Sequence, residues 1–155
     1  MIRKSFARRF ANLSSDVPKR TGERTVSWRP ALYPATSRRT SVEIRRGHVY
    51  LVDFNPRIKT KPGKLRPAVV LQSDLVSEAG YPSTVVVPTT TQLVENAGLL
   101  RLRLKRGVGG IERESDVLIG QLIAAANESF RQEVGVLPVA LLRELERRVR
   151  IVLEL

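Results

Sequence analysis

The sequence predicts a mainly β fold with helices: a small, strongly bent sheet or barrel carrying a C-terminal amphipathic helix. Three observations lead there. Between residues 48 and 122 the chain holds five short β-rich segments, each ended by turn or polar chemistry. Beyond Pro138 the apolar period changes from strand-like to helical. Finally, 155 residues with 42% apolar content suffice for one real core, and sequential short strands protect their edges by closing or folding over.

The first predicted strand is 48–54, where Val49, Leu51 and Phe54 interleave with Tyr50, Val52 and Asp53, and Asn55-Pro56 ends the run. Arg57 to Leu65 has no apolar period. With Lys59, Lys61 and Lys64 around Pro62-Gly63 it reads as a basic loop, suited to phosphate contacts or simply to solvent. Ala68 to Leu71 is a continuous apolar run, the pattern of a strand covered on both faces. Pro67 fits only near its start, where no ladder donor is needed. Val85 to Val87 gives a third strand, and Leu99 to Leu104 a fourth with Arg101 and Arg103 turned outward. Asp116 to Leu122 gives a fifth. In the helix, Val139, Leu142, Leu145, Val149 and Val152 form the apolar stripe and Leu141 widens it. Pro138 suits the first turn, and the pairs Glu144/Arg148 and Glu146/Arg150 stand at i,i+4.

Residues 1–42 differ in kind. They contain ten Lys and Arg against two Asp and Glu, with Pro18, Pro30 and Pro34 and no sustained periodicity, and read as a disordered basic extension ahead of a domain at 43–155. The first dozen residues formally match an organelle transit peptide; the plainer reading is upstream sequence from a mis-assigned start, and a third is an arm for a partner or RNA. The overall charge of +12 favours polyanions. No cysteine is present, so disulfides and Cys-based zinc sites are excluded, and one histidine leaves only carboxylates for any metal. This usage is compatible with a reducing cytoplasm. No apolar run reaches the roughly 18 residues of a membrane helix, and no membrane partner is expected.

Between Arg46 and Gln92 the chain reads RRGHVYLVDFNP, KPGKLRPAVVLQSDL and STVVVPTTTQ. These segments resemble the MazF/PemK/Kid family of toxin endoribonucleases from bacterial type II toxin–antitoxin systems, over residues 43–155. The resemblance implies an SH3-like barrel of the CcdB/PemK type, a homodimer, no cofactor or metal, and an acidic antitoxin lying along a basic groove. It also implies metal-independent, sequence-specific cleavage of single-stranded RNA by 2′-hydroxyl attack, leaving 2′,3′-cyclic phosphate and 5′-hydroxyl ends. By motif, the catalytic donors fall on Arg66 of LRPAVVL and Thr90 of VPTTTQ, with Gln92 as a base or backbone contact.

Those residue types suit that chemistry. The site must align the attack and neutralise charge on a pentavalent phosphorane, which fixed donors do best. Proline restricts the residue before it to extended geometry, so Pro67 limits where the Arg66 guanidinium points, and that planar group donates bidentately to phosphate. Thr90 offers a hydroxyl, while Thr89 and Thr91 could equally be β-branched strand residues. His48 is the one side chain whose ordinary titration suits acid–base work, though its place at a strand end also suits a purely structural role. Aromatics for base stacking are scarce after residue 42: Tyr50, Phe54, Tyr81 and Phe130. RNA preference is expected in the 57–65 loop and the 91–97 segment.

The sequence departs from the family at GQLIAAANESF. Relatives carry a QLRAID-like run; here Gln121 is kept, but Gly120, Ile123 and Ala126 replace polar residues and an Arg/Asp support pair. Two other readings therefore stand beside the ribonuclease: a degenerate relative that binds antitoxin or nucleic acid without cutting, and a gyrase-poisoning relative that captures a protein target.

Overall fold

The computed structural model describes residues 42–55 and 64–155; the basic extension and Lys59 and Lys61 of the loop lie outside them. Seven strands run β1 (His48–Asp53), β2 (Leu65–Val70), β3 (Ser83–Thr90), β4 (Arg101–Leu104), β5 (Ser115–Leu118), β6 (Ile123–Ala126) and β7 (Phe130–Val136). The α-helices among the described residues are the short α1 (Asp74–Glu78), between β2 and β3, and α2 (Val139–Leu153), after β7. All pairings are antiparallel, in the order β4-β5-β3-β2-β1-β7, with β6 beside the first half of β3. Among the described residues β4 and β7 do not pair, so the barrel expected from the sequence is an open sheet rather than a closed one.

Strand alternation divides the interior in two. Val49, Val69 and Val87 face one cluster with Leu102, Leu104, Val117, Leu137 and Leu145. Tyr50, Val52, Ala68, Val70 and Val86 face the other, with Phe54, Ala125 and Phe130. Because successive side chains point to opposite faces, the unbroken apolar run of β2 is the direct signature of this double covering. Helix α2 closes the first cluster through Leu141, Leu142, Leu145, Val149 and Val152. Val42 and Ile44 cover the second. Their segment is pinned by the buried Tyr50, whose hydroxyl donates to the Glu43 carbonyl at 2.7 Å and accepts from the Arg45 amide at 3.1 Å. Burial drives that phenol above its ordinary pKa, against the lowering effect of the Arg45 amide.

Several sequence expectations shift. β2 starts earlier than Ala68, and Pro67 is its third residue, opposite Leu51; the β2–β3 ladder begins only at Ala68 and Pro88, so no donor is missed at Pro67. The fifth segment ends at Leu118 and turns through a single 3₁₀ turn, Ile119–Gln121, into β6. The 99–104 segment forms its strand only from Arg101. Val139 is 64% exposed and takes no part in the helix stripe. Glu144 does meet Arg148, at 2.6 Å, and Arg147 as well. Glu146 instead reaches across to Arg46 at 2.9 Å, so the expected pair with Arg150 is not made.

Candidate active site

Proline sets the start of the site. The β1–β2 ladder places Arg66 opposite Val52, and the β2–β3 ladder ends at Ala68 and Pro88, two residues short of Arg66 and Thr90. Two bonds hold the strands together at this end. Thr89 Oγ1 donates to the Pro67 carbonyl at 2.8 Å, and Arg66 Nη1 donates to the Thr89 carbonyl at 3.4 Å. The three threonines thereby separate by role. Thr89 is 2% exposed and structural. Thr90 is half-buried, and its hydroxyl accepts the Gln92 amide at 3.2 Å, shaping the turn that follows. Thr91 is exposed.

Arg66, Thr90, Gln92 and Lys64 all line one groove of about 770 Å³, together with Arg101, Arg113, Glu112, Gln121 and Glu133. Lys64 is held at the mouth by its backbone, which has a left-handed φ of 68°. Its amide donates to Asn55 Oδ1 at 3.0 Å and its carbonyl accepts the Phe54 amide at 3.3 Å, so the two ends of the basic loop are clasped. His48 does not line the groove. Its Nδ1 lies 2.9 Å from Glu133 Oε1 and its ring stacks at 6.3 Å on Tyr50.

The opposite flank of Thr90 was not legible as a site. In the β3–β5 ladder Thr90 faces Asp116, a carboxylate only 1% exposed. Asp116 accepts Arg103 Nε at 2.6 Å on one oxygen, and the Val94 amide at 3.1 Å and Arg101 Nη1 at 3.4 Å on the other. Burial alone would raise its pKa; the bonds from Arg103, Val94 and Arg101 outweigh burial and hold it below the ordinary carboxylate value. The Arg103 guanidinium is raised in turn, by its bond to Asp116 first and by its bond to Glu95 second. Asp116 thus ties the exposed 91–97 segment to β5. The only hint in the sequence was an acid beginning an otherwise apolar strand, opposite an RLRL alternation.

The altered segment after Gln121 does not line the groove. Ile123 joins the second cluster and Ala125 is buried in it, while Ala124 and Ala126 are exposed beside β3. Gln121 still lines the groove.

A family model described as "PemK-like, MazF-like toxin of type II toxin-antitoxin system" matches residues 45–153. The chain belongs to this toxin family. Among its relatives, the endoribonuclease MazF6 of Mycobacterium tuberculosis is 27% identical over 114 residues, covering 72% of this chain and 98% of the relative. The endoribonuclease MazF2 of Mycobacterium bovis matches to the same extent. Among solved structures, MazF of Deinococcus radiodurans shares the fold with a TM-score of 0.62 and 19% identity, over 72% of this chain and 97% of the other. A mycobacterial endoribonuclease solved in complex with its cognate antitoxin gives 0.59 and 13%, over 73% and 97%. The PemK/MazF expectation drawn from the LRPAVVL and VPTTTQ motifs is thereby met, and the fold is the MazF fold with its sheet left open.

Proposed function

We propose that this PemK/MazF-type toxin is an endoribonuclease that cuts single-stranded RNA by internal transesterification, with Arg66 and Thr90 as its catalytic residues. The observation carrying the proposal is that Arg66 and Thr90 line one basic groove, with the Arg66 guanidinium hydrogen-bonded to the carbonyl of the neighbouring Thr89. In the reaction the 2′-oxygen forms a bond to phosphorus as its proton leaves, and the bond to the 5′-oxygen breaks as that oxygen takes a proton. A 2′,3′-cyclic phosphate and a 5′-hydroxyl result, and no metal is required. Arg66 donates to the phosphorane oxygens with a fixed charge. Thr90, its hydroxyl already an acceptor for Gln92, directs its own proton into the groove. Lys64 and Gln92 hold the neighbouring phosphates and backbone, as do Lys59 and Lys61 of the loop. The activity carried in the names of the mycobacterial relatives supports this reading.

The partner is an antitoxin whose acidic, extended segment orders along the same groove and excludes RNA. The complex of a mycobacterial neighbour with its cognate antitoxin supports such a partner. The toxin works as a homodimer in the cytoplasm. The test is cleavage of a long single-stranded RNA by the full chain in EDTA, beside Arg66→Ala, with 5′ ends mapped and their phosphorylation state read. Site-specific cuts with 5′-hydroxyl ends, lost in the folded mutant, are expected. Intact RNA with folded wild-type protein would overturn the proposal in favour of a binding-only toxin relative.

A further inference from the structure

The flank of Thr90 away from Arg66 holds a second source of positive charge. β4 pairs with β5 so that Arg103 stands opposite Asp116 and Arg101 opposite Leu118, and Asp116 is itself the ladder partner of Thr90. The two arginines are held differently. Arg103 is spent: Nε lies 2.6 Å from Asp116, Nη1 3.1 Å from Glu95, and Nη2 donates to the Val94 carbonyl at 3.1 Å. Arg101 is anchored through Nη1 alone, at 2.8 Å to the Gln92 carbonyl and a longer 3.4 Å to Asp116. The rest of its fork makes no hydrogen bond to a described residue. The side chain keeps 25% exposure and lines the groove.

One guanidinium does not match a transition state whose charge spreads over several phosphate oxygens. We propose that Arg101 is a second phosphate-contacting arginine of the cleavage site, with Asp116 as its positioning residue. This rests on the ribonuclease reading above. Arg66 and Arg101 then flank Thr90, one from β2 and one from β4. An Arg/Asp pair is so supplied from β4 and β5, in a chain whose β6 offers Ile123 and Ala126 instead.

The test compares the full chain with Arg101→Ala, Arg101→Lys and, on the exposed face of α2, Arg143→Ala. The first readout is kcat/KM on an RNA oligonucleotide spanning a mapped cut. The second is binding of a mixed-sequence 2′-O-methyl oligonucleotide, which cannot be cleaved, between about 50 and 200 mM salt. The alanine variant should lose about 100-fold in kcat/KM, as for removal of one transition-state donor, with partial rescue by added guanidinium ion. Its salt slope should flatten by about 0.7, one phosphate contact on a single strand. Lysine should keep the slope and recover part of the rate, and Arg143→Ala should behave as wild type. A wild-type salt slope in Arg101→Ala would overturn the proposal even if cleavage fell, reducing Arg101 to a brace for the Gln92 turn. If wild type binds without cutting, the ribonuclease reading fails, and the slope still decides whether Arg101 touches phosphate.

Discussion

Asp116→Asn should destabilise the domain by about 2–3 kcal/mol near neutral pH, most of it through a geometric conflict. The carboxylate accepts on both oxygens, from Arg103 on one side and from the Val94 amide and Arg101 on the other. An asparagine has one oxygen and one NH₂, so either orientation turns a donor toward donors. Removing one partner of a fully buried ion pair costs about 3–5 kcal/mol. The value here falls lower because Arg101 and Arg103 keep 25% and 32% exposure and Arg103 retains Glu95. At a urea slope of about 1.5 kcal/mol/M, the midpoint should drop by about 1.3–2 M with the slope unchanged. The pH dependence has a definite sign. The folded carboxylate titrates below its ordinary value of 3.8, so its contribution is complete above that value and disappears as pH falls through the folded one. The difference between wild type and Asn should therefore be flat from neutral down to about pH 5 and then narrow. A difference below about 0.5 kcal/mol at neutral pH would refute the reasoning. So would one that persists undiminished in acid.

Three further outcomes follow from other contacts. Thr90→Val should abolish RNA cleavage while leaving the urea midpoint nearly unchanged. Thr89→Val should do the reverse, keeping activity but costing about 1–3 kcal/mol through the orphaned Pro67 carbonyl; equal effects of the two on cleavage would contradict the division of roles. Gly110→Ala should destabilise by more than about 2 kcal/mol, since its φ is +78° and a Cβ there would stand 2.8 Å from the Val134 carbonyl carbon and overlap its oxygen; thermal melts measure it, and an unchanged midpoint would mean that β7 yields. The Glu144 carboxyl should titrate at about 2 by NMR, held down by its bonds to Arg147 and Arg148. Its stabilising effect is present above the ordinary 4.5 and fades toward pH 2, and a midpoint near 4.5 would show that these exposed bonds do not persist in solution.

What the sequence disclosed follows the strength of each local signal. The central strands were legible because both their faces are buried, which leaves an unbroken apolar run at Ala68–Leu71. Helix α2 was legible from its period, ending with Leu145 fully buried as the stripe requires. β6 and β7 were missed for opposite reasons. IAAA has low strand propensity and gains its place from pairing with Val85 and its neighbours. In FRQEVGV, Arg131, Gln132 and Glu133 are exposed on an edge, and only Phe130 is fully buried. Of the site, the Arg66-Pro67 pair and Thr90 carried short-range motifs, and the groove gathers both. Arg101 and Asp116 did not, because their meaning arises from a ladder between segments some fifteen residues apart.

The outer neighbour of the first strand is the last strand: β1 pairs with β7, and Val49 faces Gly135. On a ribosome, a nascent chain that has reached Thr90 has made neither β7, which pairs with β1, nor α2, which covers the first cluster. Such non-local pairings are also the late steps of folding. The groove that Arg66 and Thr90 line is therefore completed only once β7 has been made, since Gln132, Glu133 and Val134 are part of its lining. A chain cut short before Phe130 would carry the LRPAVVL and VPTTTQ motifs without that wall.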